Sequence, residues 1–216
     1  MITIGCAGFP VPATTYFKEF LFGEIQETHL GAPSMGNLRR WRREAAPSFR
    51  FSLLAPKDVG LSGFVEDEAS TKALEAFFVV GAELKAEMAV FPTPPEFAEN
   101  KANKALIKKF LARMQGKFPT VVWDPPASWD ADDAAALAKE AGAIATRDPL
   151  VHGTTKDAFA YYRLPGPAGF KSRYEDASME RLTATVSAAK NKDAIYVFTN
   201  VDMYPDAKRL RKALGL

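Results

Sequence analysis

VVWDPPASWDADDAAALAKEAG, residues 121–142, holds one complete strand-to-helix unit. Val121, Val122 and Trp123 form a short run of β-branched and aromatic side chains, the composition of a buried strand. Asp124 and the two prolines after it end the run, because proline has no amide to extend a ladder. Asp130 then stands where a side-chain oxygen accepts hydrogen bonds from the first free amides of a helix. Asp132 and Asp133 suit the positive end of that helix, and Gly142 closes it. A strand that feeds straight into a helix leads to a parallel neighbour, since parallel strands are joined by a crossover.

The same unit recurs along the chain. Strand-like runs are read at Ile2 to Cys6, Gly23 to Thr28, Phe49 to Leu54, Met88 to Phe91, Thr120 to Trp123, Ala143 to Thr146, Phe159 to Leu164 and Ala194 to Thr199. Helical periodicity fills Met35 to Ala45, Glu66 to Lys85, Lys101 to Met114, Asp130 to Ala141, Ala177 to Ala189 and Pro205 to Leu214. In the segment 101–114, Leu106, Phe110 and Met114 fall four apart beside Ile107 and Leu111, opposite a lysine-rich face. Only Pro10 to Leu21 and Asp148 to Asp157 are weak, offering a turn or two of helix at most. Eight alternating units predict a compact α/β fold of the (β/α)8 TIM-type barrel class with parallel strands, and one domain over residues 1–216. An open doubly wound sheet is the alternative.

Composition narrows the function classes. The chain has 216 residues, 47% of them hydrophobic, enough for a full core. The longest apolar run, Ala76 to Ala82, is far below the roughly 20 residues of a membrane span, so no membrane partner is expected. The start MITIGCAGF reads as a strand and not as a signal peptide. A single cysteine, Cys6, fits a reducing compartment and a cytoplasmic location. A net charge of +2 is no nucleic-acid signature. The basic clusters at Arg39, Arg40, Arg42, Arg43 and at Lys208, Arg209, Arg211, Lys212 lie on helical segments and read as solvated outer faces.

Several run ends carry recognisable residues: GCAGF (5–9), WRREAAPSFRF (41–51), PTPPEF (92–97), the SW at 128–129, YYRLPG (161–166) and FTN (198–200). In this order and spacing they resemble the YecE-like family, domain-of-unknown-function family 72, over nearly the whole chain. The resemblance implies a (β/α)8 barrel and brings no established activity. It also implies a polar mouth of which Glu24, Asp148, Arg163 and Asn200 are retained, while the second-strand pattern of glutamate, asparagine, threonine and two aromatics appears here as Glu24, Gln26, Thr28, His29 and Leu30. The chain departs from the family where Trp123, Asp124 and Pro125 replace a glutamate, a spacer and an arginine. Leu54 stands for a lysine, Pro92 for a glutamine and Pro165 for a histidine.

In such barrels ligands bind at the C-terminal strand ends. A period of two puts Tyr161 and Arg163 on one face, where Arg163 offers a planar fork suited to carboxylate or phosphate, or a salt bridge to Glu24 or Asp148. Glu24 and Asp148 are the candidate catalytic acid and base, against a charge-balancing role. Asn200 could donate to a ligand oxygen or cap a turn. Gln26, Trp123 and Tyr161 complete the candidate ligand-binding set. Alternation turns Trp123 inward, as an apolar wall, and Asp124 away, as a structural acid. The amides of the Gly166-Pro-Ala-Gly169 loop, followed by Lys171 and Arg173, could approach an anion or form an ordinary loop. Cys6 is weighed as a nucleophile against a buried strand residue.

Two histidines, His29 and His152, have no companion at a zinc spacing, so no metal is assigned; a divalent ion on Glu24, Asp148 or Asp124 is not favoured. The first expectation is a barrel binding a small anionic, sugar-like or phosphate-bearing ligand, with hydrolysis or isomerisation open. The second is a non-catalytic binding protein with an eroded site. The third is a metal-dependent nucleic-acid phosphodiesterase-like protein, with nucleic acid the unlikely partner. Whether the protein is an enzyme, and its oligomeric state, stay open at this point.

Overall fold

Asp130 caps a helix as its position predicts. Its carboxylate accepts the amides of Asp132 and Asp133, each at 2.9 Å, and Gly142 turns the chain out with φ 74°. The same alternation of strand and helix runs through the computed structural model, which describes residues 1–216. In order come β1 (Ile2–Ala7), α1 (Ala13–Glu19), β2 (Phe22–Ile25), a 3-10 turn (Glu27–His29), α2 (Met35–Glu44), β3 (Arg50–Leu54) and α3 (Lys57–Leu61). Next are α4 (Glu68–Leu84), β4 (Met88–Pro92), α5 (Lys101–Met114), β5 (Thr120–Asp124), α6 (Ala131–Glu140) and β6 (Ile144–Ala145). The last are α7 (Pro149–His152), β7 (Phe159–Leu164), α8 (Asp176–Ala188), β8 (Asp193–Phe198) and α9 (Met203–Ala213). The strand order β6-β5-β4-β3-β2-β1-β8-β7, with every assigned pair parallel, is that of the (β/α)8 barrel class.

The contacts group into two compact units, Met1–Glu24 with Arg147–Leu216, and Ile25–Thr146. In the Ile25–Thr146 unit the helix-facing side of the sheet is marked by Phe91, which meets Phe77 of α4 at 6.1 Å and Phe110 of α5 at 5.0 Å between ring centroids. The register sets Phe91 beside Trp123, so Trp123 shares that side. There it lies edge-on to Trp129 at 5.1 Å, and its indole N–H donates to Thr93 Oγ1 at 2.6 Å. Asp124 therefore points to the opposite side, where the Thr146 hydroxyl donates to it. This corrects the expectation of an inward Trp123 and an outward Asp124. The indole gains a fully buried aromatic seat and a polar partner on the helix side.

In the other unit the helix-facing side carries Tyr162 stacked on Tyr196 at 4.8 Å, and Phe198 edge-on to Tyr174 at 5.4 Å. The opposite side carries Phe22, Glu24, Tyr161 and Arg163. Gly5 of β1 makes room for Phe22: a Cβ there would come within 2.5 Å of the Phe22 carbonyl and 2.7 Å of its ring.

Differences from the expected elements are local. β2 stops at Ile25 because the chain turns at Glu27, held by the Thr28 hydroxyl, which donates to the carbonyls of Ile25 at 3.0 Å and Leu54 at 2.6 Å. β6 is two residues long, and α3 was not foreseen. The two segments expected to be poor in helix hold α1, of seven residues, and α7, of four.

Candidate functional site

β7 and β2 bring three chemical groups together within one unit. Glu24, near the end of β2, is fully buried, a position that a carboxylate tolerates only with partners. It has them: Tyr161 Oη donates to Oε2 at 2.6 Å and Arg163 Nη2 donates to Oε1 at 2.9 Å. Tyr161 and Arg163 are two apart on β7, so both reach the same side. The Tyr161 ring meets Phe22 edge-on at 6.1 Å, which fixes the hydroxyl over the carboxylate. The Arg163 side chain keeps 16% exposure while Glu24 keeps none, so the pair presents a cation, and not an acid, toward solvent. Salt is a weak lever on such a pair, because one partner is wholly desolvated.

Asp148 follows β6 and caps α7, accepting the Leu150 amide at 2.8 Å. Burial pushes its carboxyl above the ordinary carboxylate range, against the pull of that amide. A raised folded-state value means that the folded protein binds more protons than the unfolded chain between the two values. Stability is then greatest below the unfolded value and declines as pH rises toward the folded one. Asp148→Asn keeps the cap acceptor, so urea unfolding across the acidic range should show a smaller decline with rising pH than the parent.

The remaining candidates have their own partners or belong to the other unit. Asn200 is fully buried, and its Nδ2 donates to the Ser172 carbonyl at 3.0 Å and to Asp206 Oδ2 at 2.9 Å, tying the β7–α8 loop to α9. Gln26, half-buried, leads into the 3-10 turn of the Ile25–Thr146 unit. Trp123 is buried on the helix side of its own unit. The Gly166–Gly169 loop spends its amides on itself: Gly166 donates to Tyr174 Oη at 3.2 Å, Ala168 to Ser172 Oγ at 3.0 Å, and Gly169 to the Gly166 carbonyl at 3.1 Å. It is no anion nest. Arg173 pairs with Asp202 at 3.3 Å. Asp124 with Thr146, on the side of its sheet away from the helices, is a polar pair that sequence reading missed. Three apolar residues in a row, Val121 to Trp123, leave the alternation without a phase.

Cys6 is buried, and burial lifts its thiol to about 12, which disfavours a thiolate nucleophile. Much of the basic clusters is engaged locally. Arg39 pairs with Glu83 at 3.1 Å, and Arg42 donates to the carbonyls of Ala46 and Phe49. Lys208 pairs with Glu19 at 3.0 Å, and Arg209 with Asp206 and Asp176. No helix is long and apolar enough to cross a membrane.

The model of a family described as proteins of unknown function, DUF72, matches residues 14–216. The chain belongs to the DUF72 family. A DUF72 protein of Enterococcus faecalis is similar in structure, with a TM-score of 0.81 at 15% identity over 100% of this chain and 96% of that one. A DUF72 protein of Thermotoga maritima has a TM-score of 0.76 at 16% identity, with both chains covered in full. At these identities the likeness shows the barrel fold and leaves activity open. The IOLI protein, solved with a bound zinc atom, is similar at a TM-score of 0.56 and 10% identity, over 98% of this chain and 96% of that one. In the present DUF72 chain no group of three or more His, Cys, Asp or Glu side chains is placed to hold a metal ion. No curated protein matches the sequence.

Proposed function

We propose that this DUF72 protein binds a small anionic ligand, phosphate- or carboxylate-bearing and sugar-like, at the C-terminal strand ends of the unit containing Glu24 and Arg163. The observation that carries the reading is the arginine itself: it lies one residue from the end of a strand, keeps solvent access, and is held at 2.9 Å by a carboxylate with no exposure. Arginine presents a planar fork of donors matched to paired oxygens, and a buried carboxylate at its back sets the orientation of the fork in advance. Tyr161 fixes that carboxylate in turn. Asn200 shapes the adjoining loop from behind, and Gln26 and Trp123 are assigned no ligand contact.

A binding role fits the geometry better than catalysis by Glu24. Its two oxygens already accept from Tyr161 and Arg163, which leaves it a positioning group and not a base. Hydrolysis or isomerisation would need Asp148, whose burial favours a protonated carboxyl able to act as acid. The single cysteine supports a cytoplasmic setting.

Calorimetric titration with inorganic phosphate and with a hexose phosphate tests the reading. Arg163→Gln should weaken hexose phosphate binding by at least about tenfold, the order of a charge-assisted hydrogen bond lost. A folded Arg163→Gln protein that binds as tightly as the parent would refute it.

A further inference from the structure

A second cleft lies in the Ile25–Thr146 unit, lined by Thr28, His29, Leu30, Pro56, Asp58 and Ala76 among others. We infer that it is a binding site for a primary ammonium group carried on a short aliphatic stem. This inference is independent of the anion reading of Arg163.

The cleft holds about 120 Å³, well below the roughly 300–1,000 Å³ of pockets that take drug-sized ligands, so its occupant is no larger than a side chain. His29 Nδ1 lies 2.8 Å from the Ala55 carbonyl oxygen, which can only accept, so Nδ1 donates there and the ring is fixed in the cleft wall. Asp58, exposed in the first turn of α3 and forming no ion pair, adds a carboxylate to the lining. The rest of the wall is apolar: Leu30 and Pro56, with Ala73, Ala76 and Phe77 of α4. A mostly apolar cleft lined by one carboxylate and a fixed imidazole selects a donor cation on a hydrocarbon body. An anion would meet Asp58, and a neutral hydrocarbon would gain nothing from it. The Thr28 hydroxyl is occupied by two backbone carbonyls and takes no part.

An amide-resolved NMR titration with n-butylammonium tests the site. Saturable shifts are expected at residues 28–32 and 73–77. Asp58→Asn should weaken binding roughly two- to fivefold, the span of an exposed ion pair. Ala76→Leu, at an exposed helix position where folding is undisturbed, should abolish the shifts by filling the cleft. The blocked amino acid Nα-acetyl-lysine N-methylamide separates the two sources of the group. Equal or tighter binding of that probe marks a lysine side chain of a partner as the occupant, and binding of n-butylammonium alone marks a free amine. n-Butanol binding as tightly as n-butylammonium, or shifts confined to other residues, would overturn the inference.

Discussion

Glu24→Ala is expected to lower the free energy of unfolding by about 3–5 kcal/mol, measured by urea denaturation, because it removes the carboxylate that accepts from a largely buried guanidinium and from the Tyr161 hydroxyl. The effect comes mainly from the partners left behind and not from the net worth of the ion pair, since taking the carboxylate out of water cancels much of the attraction. Two controls separate these terms. Glu24→Gln retains an acceptor oxygen and should recover part of the loss. The double variant Glu24→Ala with Arg163→Met removes both charges and should be more stable than Glu24→Ala alone. A Glu24→Ala protein within about 0.5 kcal/mol of the parent, the range of ordinary surface substitutions, would show that the carboxylate is not the anchor described.

Trp123→Ala should cost about 3–5 kcal/mol while leaving phosphate-ester affinity unchanged. The indole is fully buried, edge-on to Trp129, and its N–H is the donor to Thr93. Truncation opens a large cavity and orphans a hydroxyl in the same step. A wall of the ligand site would behave differently: its loss would weaken binding even where the fold survives. Unfolding and titration on one protein sample therefore distinguish the helix-facing placement from the inward one expected by alternation. Reduced affinity in a variant still folded at the titration temperature would restore the inward reading.

What could be read in advance was what local chemistry decides. Asp130, its two following aspartates and Gly142 specify α6 almost to the residue, because caps and dipole complements act over a single turn. β7 was legible from its period of two, with Tyr161 and Arg163 on one side and Tyr162 on the other. Short and doubly apolar segments defeated the same logic. β5 is apolar at Val121, Val122 and Trp123, so alternation carries no phase, and only the packing of Phe91 against α4 and α5 shows which side faces the helices. β6 keeps only two of the four residues that its composition suggested, and α3, one turn behind Pro56, is too short to have a period.

The candidate site was legible as residue types and not as partnerships. Glu24 and Arg163 are 139 residues apart, and nothing local says that one would hold the other. Either of two carboxylates, Glu24 or Asp148, would have balanced the arginine; the register of β2 and the alternation of β7 select the first, and Asp148 turns instead to its own helix cap. Asn200 looked like a ligand donor because it follows β8. Its neighbour Asp206, buried six residues on and itself needing donors, was the signal that it belongs to a structural knot.

Arg163, set by Glu24 and Tyr161, is proposed as the anion-contacting group, and a crystal structure of the protein grown with a hexose phosphate would show it. Phosphate oxygens are expected within about 3 Å of the Arg163 guanidinium, with the Glu24 and Tyr161 contacts preserved behind it. An ordered phosphate ester bound elsewhere, with none at Arg163, would contradict it.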